Sequence, residues 1–431
     1  MRAIADLGYR VTLGDVAVQA GLEVNDARKG LLALAADTGA HLQVAESGDV
    51  VYQFSQNFRT ILLKKSLQLR LQTWGRQIWR GIFYLIRISF GVALLVSIAL
   101  ILMTIALILI AYSSRQGGDE RDERRSSGGM IWIPQFWLGG DWWWIFVPDF
   151  ESRRDQHQRS RREDASRMNF LEAVYSFLFG DGNPNADLEE RRWQAIATVI
   201  RNHQGAVVAE QITPYLEDLG TGYSQEFEDY MVPVLLRFDG RPEVSPQGAL
   251  IYHFPELQTT ATQQSQKSVP AYLQEQFWRF SQASSGQMLG VIGLGGLNFI
   301  GALLLGSLFE DRQIIAELGG LVAFVHSIYW LLLSYGTAFV VIPGIRYFWL
   351  QRRNQAITLR NQERYQRTIT LTDANPTLQE KLAYAHQFAA ETVLHREQMI
   401  YTTEKSLIEQ ESDRSDRLDA DWQKRLDQSA Q

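Results

Sequence analysis

Residues 88–112, ISFGVALLVSIALILMTIALILIAY, carry no charge over 25 positions. As a helix rising about 1.5 Å per residue, such a run reaches across a hydrocarbon layer of about 30 Å. The chain is therefore expected to be an integral, multi-pass membrane protein. Residues 288–309 and 319–348 meet the same length requirement, the second with Pro343 and His326 inside it.

The soluble stretches carry a repeat. GDVVYQF begins at Gly48 and GALIYHF at Gly248, each a turn glycine followed by an apolar run ending Tyr-x-Phe. This is the pattern of the second arm of a β-hairpin. Ahead of the first copy, RAIADLG, LGDVAVQAG and VNDARKGLLALAADTG read as three helices, with YRVT extended between the first two. Ahead of the second, LEERRWQAIATVIRNHQG, AVVAEQITPYLEDLG and SQEFEDYMVPVLLRFDG read likewise. Helix, strand, two helices and a two-stranded wing is the winged variant of the helix-turn-helix. The expected fold is thus mainly α: two duplicated winged-helix domains (1–58 and 169–260), a transmembrane helix bundle and a C-terminal helical tail (349–431). The wing positions are Gly48, Tyr52 and Phe54 against Gly248, Tyr252 and Phe254. The spans also recur, from 88 and from 288, so the internal duplication includes a membrane segment.

Charge weighs against the usual partner of a winged helix. Residues 1–55 carry four basic and seven acidic side chains, and residues 169–260 hold five arginines and fourteen carboxylates. Lys and Arg contacts to phosphate supply most non-specific DNA affinity, so nucleic acid is an unfavoured partner. A membrane-tethered DNA-binding regulator working through Arg28 and Lys29 remains the alternative.

Residues 56–87 hold seven basic side chains and no acidic one. On one helix (59–87) Lys65, Arg76, Arg80 and Arg87 fall within a sector of about 60°, and Trp74 and Trp79 suit headgroup depth. The flank either orients the span or lies along anionic lipid. The chain after the last span is rich in arginine while EDRQIIAE between the last two is acidic, which places the N-terminus and both ends of the last hairpin on the cytoplasmic side. The polar loop 113–168 contains a segment, 131–148, with Trp142, Trp143 and Trp144, two prolines and Asp141. It suits an interfacial or re-entrant piece, and three or four membrane segments both stay open. Small residues four apart, Gly286 and Gly290, then Ala302 and Gly306, favour close helix packing. Residues 261–287 are expected as a connecting helix, and 377–411 as a long amphipathic helix docking on the winged domains or on a partner.

No cysteine is present, which excludes thiolate metal sites and thiol nucleophiles. No catalytic motif or metal-ligand spacing stands out, so no enzyme, metal or cofactor is expected. His326 alone, an ionisable side chain within a span, offers a pigment or haem ligand.

VTLGDVAVQAGLEVNDARKGLLALAADTG, MNFLEAVYSFLFGDGNPN and IYTTEKSLIEQE resemble a poorly characterised family of multi-pass membrane proteins shared by cyanobacteria and plant plastids. Plant members sometimes carry a label linking them to iron–sulfur cluster biosynthesis, and a chain without cysteine offers no thiolate for such a cluster. The N-terminus lacks the marks of a signal or transit peptide, which is expected of a cyanobacterial member. The resemblance implies a cyanobacterial thylakoid or plasma membrane. The expected role is a scaffold or assembly factor of a photosynthetic membrane complex, with membrane lipids and protein partners or a second copy around it.

Overall fold

The computed structural model describes residues 1–65, 67–116, 168–222, 226–263, 265–372 and 376–412, with 415, 419, 422 and 423. The segment 131–148, with Trp142, Trp143 and Trp144, lies outside the described residues. In chain order, α1 (Arg2–Asp6), β1 (Arg10–Val11), α2 (Leu13–Ala20), α3 (Val24–Thr38), β2 (His41–Ala45) and β3 (Val50–Gln53) lead to α4 (Phe58–Lys65) and the long α5 (Leu67–Gln116). After α6 (Phe170–Phe179) come α7 (Leu188–Asn202), β4 (Ala206–Val207), α8 (Ala209–Ile212), α9 (Val232–Phe238), β5 (Arg241–Val244), β6 (Leu250–His253) and β7 (Thr259–Thr260). Then follow α10 (Ser285–Leu308), α11 (Arg312–Leu318), α12 (Gly320–Ser327), α13 (Tyr329–Thr372), α14 (Pro376–Ala385), β8 (Thr392–Val393) and β9 (Met399–Thr402).

The chain divides into two compact units. Met1–Thr73, Pro184–Gln276 and Ile357–Gln431 form the first, and Trp74–Asn183 with Phe277–Ala356 the second. In the first unit two small antiparallel sheets share a plan, β1-β3-β2 and β4-β6-β5. Their registers match as well: Val11 and Leu42 both face Tyr52, and Val207 and Pro242 both face Tyr252. Gly48 and Gly248 turn the two hairpins at φ +86° and +84°, a region that glycine enters without steric cost. Buried side chains of both halves form one hydrophobic core, from Ile4, Val16 and Leu31 through Phe54 to Ile196, Ile212, Phe238 and Phe254.

Several helices expected from the sequence are shorter or absent. Residues 206–220 open as strand β4 and leave only α8 and a 3-10 turn holding Pro214, whose ring cannot continue an α-helix from within. Among the described residues 226–240, the full helical run expected gives way to a 3-10 turn at Asp229–Met231 and the short α9, with Pro233 in its first turn. Helix resumes only at 407–412 in the tail 377–411, whose α14 stops at Ala385 before the 3-10 turn at His386–Phe388. Beyond that, β-branched and aromatic residues carry it into β8, paired parallel with β7, and into β9 on the outer edge of β2. Residues 261–284 contain no helix among those described. Here asparagine amides replace a helical ladder: Asn361 accepts from the Glu275 N–H and donates to its carbonyl, both at 2.9 Å, and Asn185 does the same for Gln276 at 2.7 and 2.8 Å. Partners so distant in sequence leave no local signal.

In the second unit α5 and α10 run side by side in the same direction. Ser97 donates to Asn298 at 2.7 Å in the interior, and Gly301 faces Ile101. At one end of these helices, polar and aromatic contacts tie the elements of the unit together. Arg87 is 3.5 Å from Asp181, Asn354 pairs with both backbone groups of Trp278, and Arg346 stacks 4.5 Å over Phe280. At the other end Tyr112 donates to Asp311 at 3.1 Å. Gln77–Ser114, Ser285–Leu308 and Tyr329–Leu371 are long and apolar enough to cross a membrane.

The two sheets differ in how their edges are closed. In the first, the N–H and carbonyl of Leu42 bond Thr403 just after β9. Proline occupies the matching position 242, so the second edge lacks that donor and resists pairing with another strand. Deleting residues 399–431 is therefore expected to expose the β2 edge and produce concentration-dependent oligomers by analytical ultracentrifugation in detergent. Adding Leu42→Pro to the truncated chain should restore a monodisperse species. A truncated chain that stays monodisperse without it would contradict this account.

Candidate functional site

The first unit is organised around a buried carboxylate. Thr12 and Asp15 form a reciprocal capping box at the start of α2, which fixes the Asp15 side chain next to its own helix terminus. That carboxylate, 2% exposed, also accepts from Arg201 of α7 at 3.0 Å, from the Thr260 hydroxyl at 2.8 Å and from the Ala261 N–H at 2.9 Å. One side chain thus ties the first half to the second half and to β7. Close approach makes this possible: a Cβ on Gly14 would strike the Glu256 carbonyl, and one on Gly21, at φ +61°, would strike the backbone at Gln194.

A second cluster receives the tail. Lys381 of α14 is nearly buried and lies 3.1 Å from Glu210 and 2.7 Å from Glu228, while Tyr252 donates to Glu228 at 2.7 Å. Burial pushes the Tyr252 phenol up, and its hydrogen bond to Glu228 adds to the shift. Around this cluster Leu378 and Ala385 pack against Val208 and Ile251. A third cluster pins the asparagine-bound strap, where Arg360 grips Glu275 with two bonds of 2.8 and 2.7 Å and the buried Arg364 adds a third at 2.9 Å. Hydrogen bonding from Arg360 is the largest influence holding the Glu275 carboxyl below its usual range, and it outweighs burial.

The sequence candidates fall in several places. Tyr52, Phe54, Tyr252 and Phe254 are buried core residues of the hairpins. Lys65 ends α4, whereas Trp74, Arg76, Trp79, Arg80 and Arg87 lie along α5, with Trp74 and Trp79 exposed. Arg87 is drawn towards Asp181 and stacks on Phe83 and Tyr175. Of the small residues, Gly290 meets the Phe170 ring, Ala302 is fully buried and Gly306 faces the Tyr329 ring, while Gly286 faces open space. Gly306 makes the tightest of these approaches, and others fall at Gly295 against Phe339, Gly91 against Leu171 and Gly336 against Phe299. His326 points outward from α12, its ring edge-on to Phe309 at 5.0 Å. Arg28 is 3.2 Å from Glu256, while Lys29 is exposed on α3. Among the described residues no group of three His, Asp or Glu side chains could hold a metal ion.

Over 435 aligned residues the chain is 37% identical to the uncharacterized chloroplastic protein At5g03900 of Arabidopsis thaliana, covering 97% of this chain and 81% of that one. The chain belongs to that protein's family. No family model and no solved structure matches. A chloroplastic relative and three long apolar helices are together compatible with a plastid-type membrane.

Asp15, Arg201 and Lys381 did not stand out in the sequence, although Thr12-x-x-Asp15 carried a readable capping signal. Asp15→Ala would leave Arg201 buried without its counter-charge, so thermal unfolding should report a loss of about 3–5 kcal/mol. Glu275 generates a pH prediction. Its folded pKa is depressed, so its contribution is present above the unfolded carboxylate pKa and is lost as pH falls through the folded value. The melting-temperature advantage of wild type over Glu275→Gln should accordingly be largest near neutrality and disappear in acid.

Proposed function

We propose that this chain is a non-enzymatic, multi-pass membrane scaffold or assembly protein of a plastid-type or cyanobacterial photosynthetic membrane. Its two winged-helix repeats, held as one acidic body, dock other proteins at a single face of the bilayer. The observation that carries this reading is the single hydrophobic core shared by the two repeats, from Leu31 and Phe54 to Phe238 and Phe254, which keeps both on one side of any bilayer the chain crosses. Arg352 and Arg353 stand on the flank through which the chain re-enters the repeat-bearing unit, whereas Glu310, Asp311 and Glu317 lie between the last two spans. By the positive-inside rule this makes the face carrying the repeats cytoplasmic, or stromal in a plastid. A one-faced arrangement requires an even number of crossings, one more than the three long apolar helices among the described residues supply.

The shared order and register of the two sheets support the duplicated winged-helix reading. Its use in DNA binding is disfavoured by the sequestration of Arg28 with Glu256 and by the excess of carboxylates around the second repeat.

The absence of cysteine makes a clean labelling test available. Single cysteines replacing Asp49 and Gln247, at the two hairpin turns, should react with an impermeant maleimide from the same side of sealed vesicles. A cysteine replacing Glu310 should react from the other side. Labelling of the two hairpins from opposite faces would overturn the one-faced platform. Salt-sensitive retardation of duplex DNA by the full-length chain in detergent would favour a DNA-binding regulator instead.

A further inference from the structure

In each repeat the last helix before the hairpin is the one that would enter a DNA groove in a winged helix. Here those helices turn an apolar surface outward. On α9, Val234 and Phe238 are buried, and Val232, Pro233 and Leu236 face solvent. Leu236 is 72% exposed and Val232 47%. The same edge continues onto the first repeat, because Arg237 donates to the Gly21 carbonyl at 2.8 Å and the next residue, Leu22, is 40% exposed. Helix α3 then runs on from Glu23 and exposes Leu32.

The charge around this surface has one dominant sign. Arg237 is occupied: it stacks 4.4 Å over Trp193 and bonds Gly21. Burial pushes its guanidinium down, and Glu189, Glu23 and Asp26 push it back up, which places three carboxylates around the C-terminal end of α9. Glu189 is itself engaged by Arg192 and Trp193. Arg28 is engaged by Glu256, while Lys29, about one turn beyond Asp26, and Arg241, just past α9, are the exposed cations near this edge.

We infer that Leu22, Val232 and Leu236, rimmed by Glu23 and Asp26, form the docking surface for a basic amphipathic helix of a partner protein. The inference rests on the docking role proposed above and names its face and its partner's chemistry. A helix with aliphatic residues at i and i+4 covers the two exposed residues of α9, which have that spacing themselves, and its Lys or Arg side chains answer the carboxylate rim. Nucleic acid would meet the same carboxylates unfavourably, and Arg237, the cation next to Leu236, is already engaged by Trp193 and Gly21.

The test is photo-crosslinking of the full-length chain in its native membranes, with benzoylphenylalanine in place of Leu236 or, separately, of the exposed tail residue Ile408. The Leu236 probe is expected to capture another protein through a Lys/Arg-rich peptide with aliphatic residues four apart. Yield should fall about tenfold when Asp26→Lys and Glu23→Lys are combined, and in about 0.5 M salt, but not with the distant Asp49→Lys. Adducts to lipid, to a second copy or to a peptide lacking basic residues would overturn the assignment, as would a yield unmoved by charge reversal. Capture by the Ile408 probe alone would sink this surface and leave the docking role standing. Capture by neither would remove both.

Discussion

The first unit depends on the burial of one carboxylate between two repeats. A desolvated aspartate costs several kcal/mol unless its charge and lone pairs are answered. Asp15 is answered by a cation, a hydroxyl and two backbone N–H groups, drawn from its own helix cap, from α7 and from β7. These partners come from sequence positions 12, 201, 260 and 261, so the carboxylate is satisfied only when both halves are assembled. Hydrophobic burial brings the halves together, and this polar junction restricts them to one alignment. Gly14 and Gly21 permit that alignment by admitting another backbone where any side chain would collide.

The two halves share a strand order and register, and small departures from equivalence give them different tasks. Proline at 242, where the first copy has leucine at 42, closes one sheet edge chemically, while the other edge is closed by the chain's own β9. Lys381 brings α14 onto the second repeat, whose acidic excess gives that tail a specific place to bind. In the second unit the repeated helices α5 and α10 pack side by side, joined by the Ser97–Asn298 hydrogen bond. Glycines at 91, 295, 301 and 336 bring the helices close, and dispersion accumulates over the contact.

Much of this was legible because its signals are local. The wing glycines, the alternation of Tyr52 and Phe54, and the caps at Gly21 and Gly39 lie within a few residues of the structure they determine. The first repeat followed its sequence element by element. In the second, Pro214 and Pro233 shortened helices that apolar spacing alone would have extended. The tail after Ala385 was misread because Val393 and Leu394 fit a helical period as readily as a strand, and the decision lay with β7, more than a hundred residues earlier. The strap at 261–284 had no legible signal, since the amides of Asn185 and Asn361 that hold it come from other parts of the chain. Of the small residues in the apolar helices, Ala302 and Gly306 lay on the packed face while Gly286 did not, because a spacing of four fixes a stripe but not its azimuth.

The central physical claim is that two sequence repeats fold as one body around a shared core and the Asp15 junction. Hydrogen exchange of the intact chain in detergent, resolved to peptides covering β3 and β6, tests it most directly. The account predicts that both hairpins open together with one free energy and the same denaturant dependence, as parts of one cooperative unit. Independent opening of the two hairpins, with one losing protection while the other keeps its full value, would contradict it.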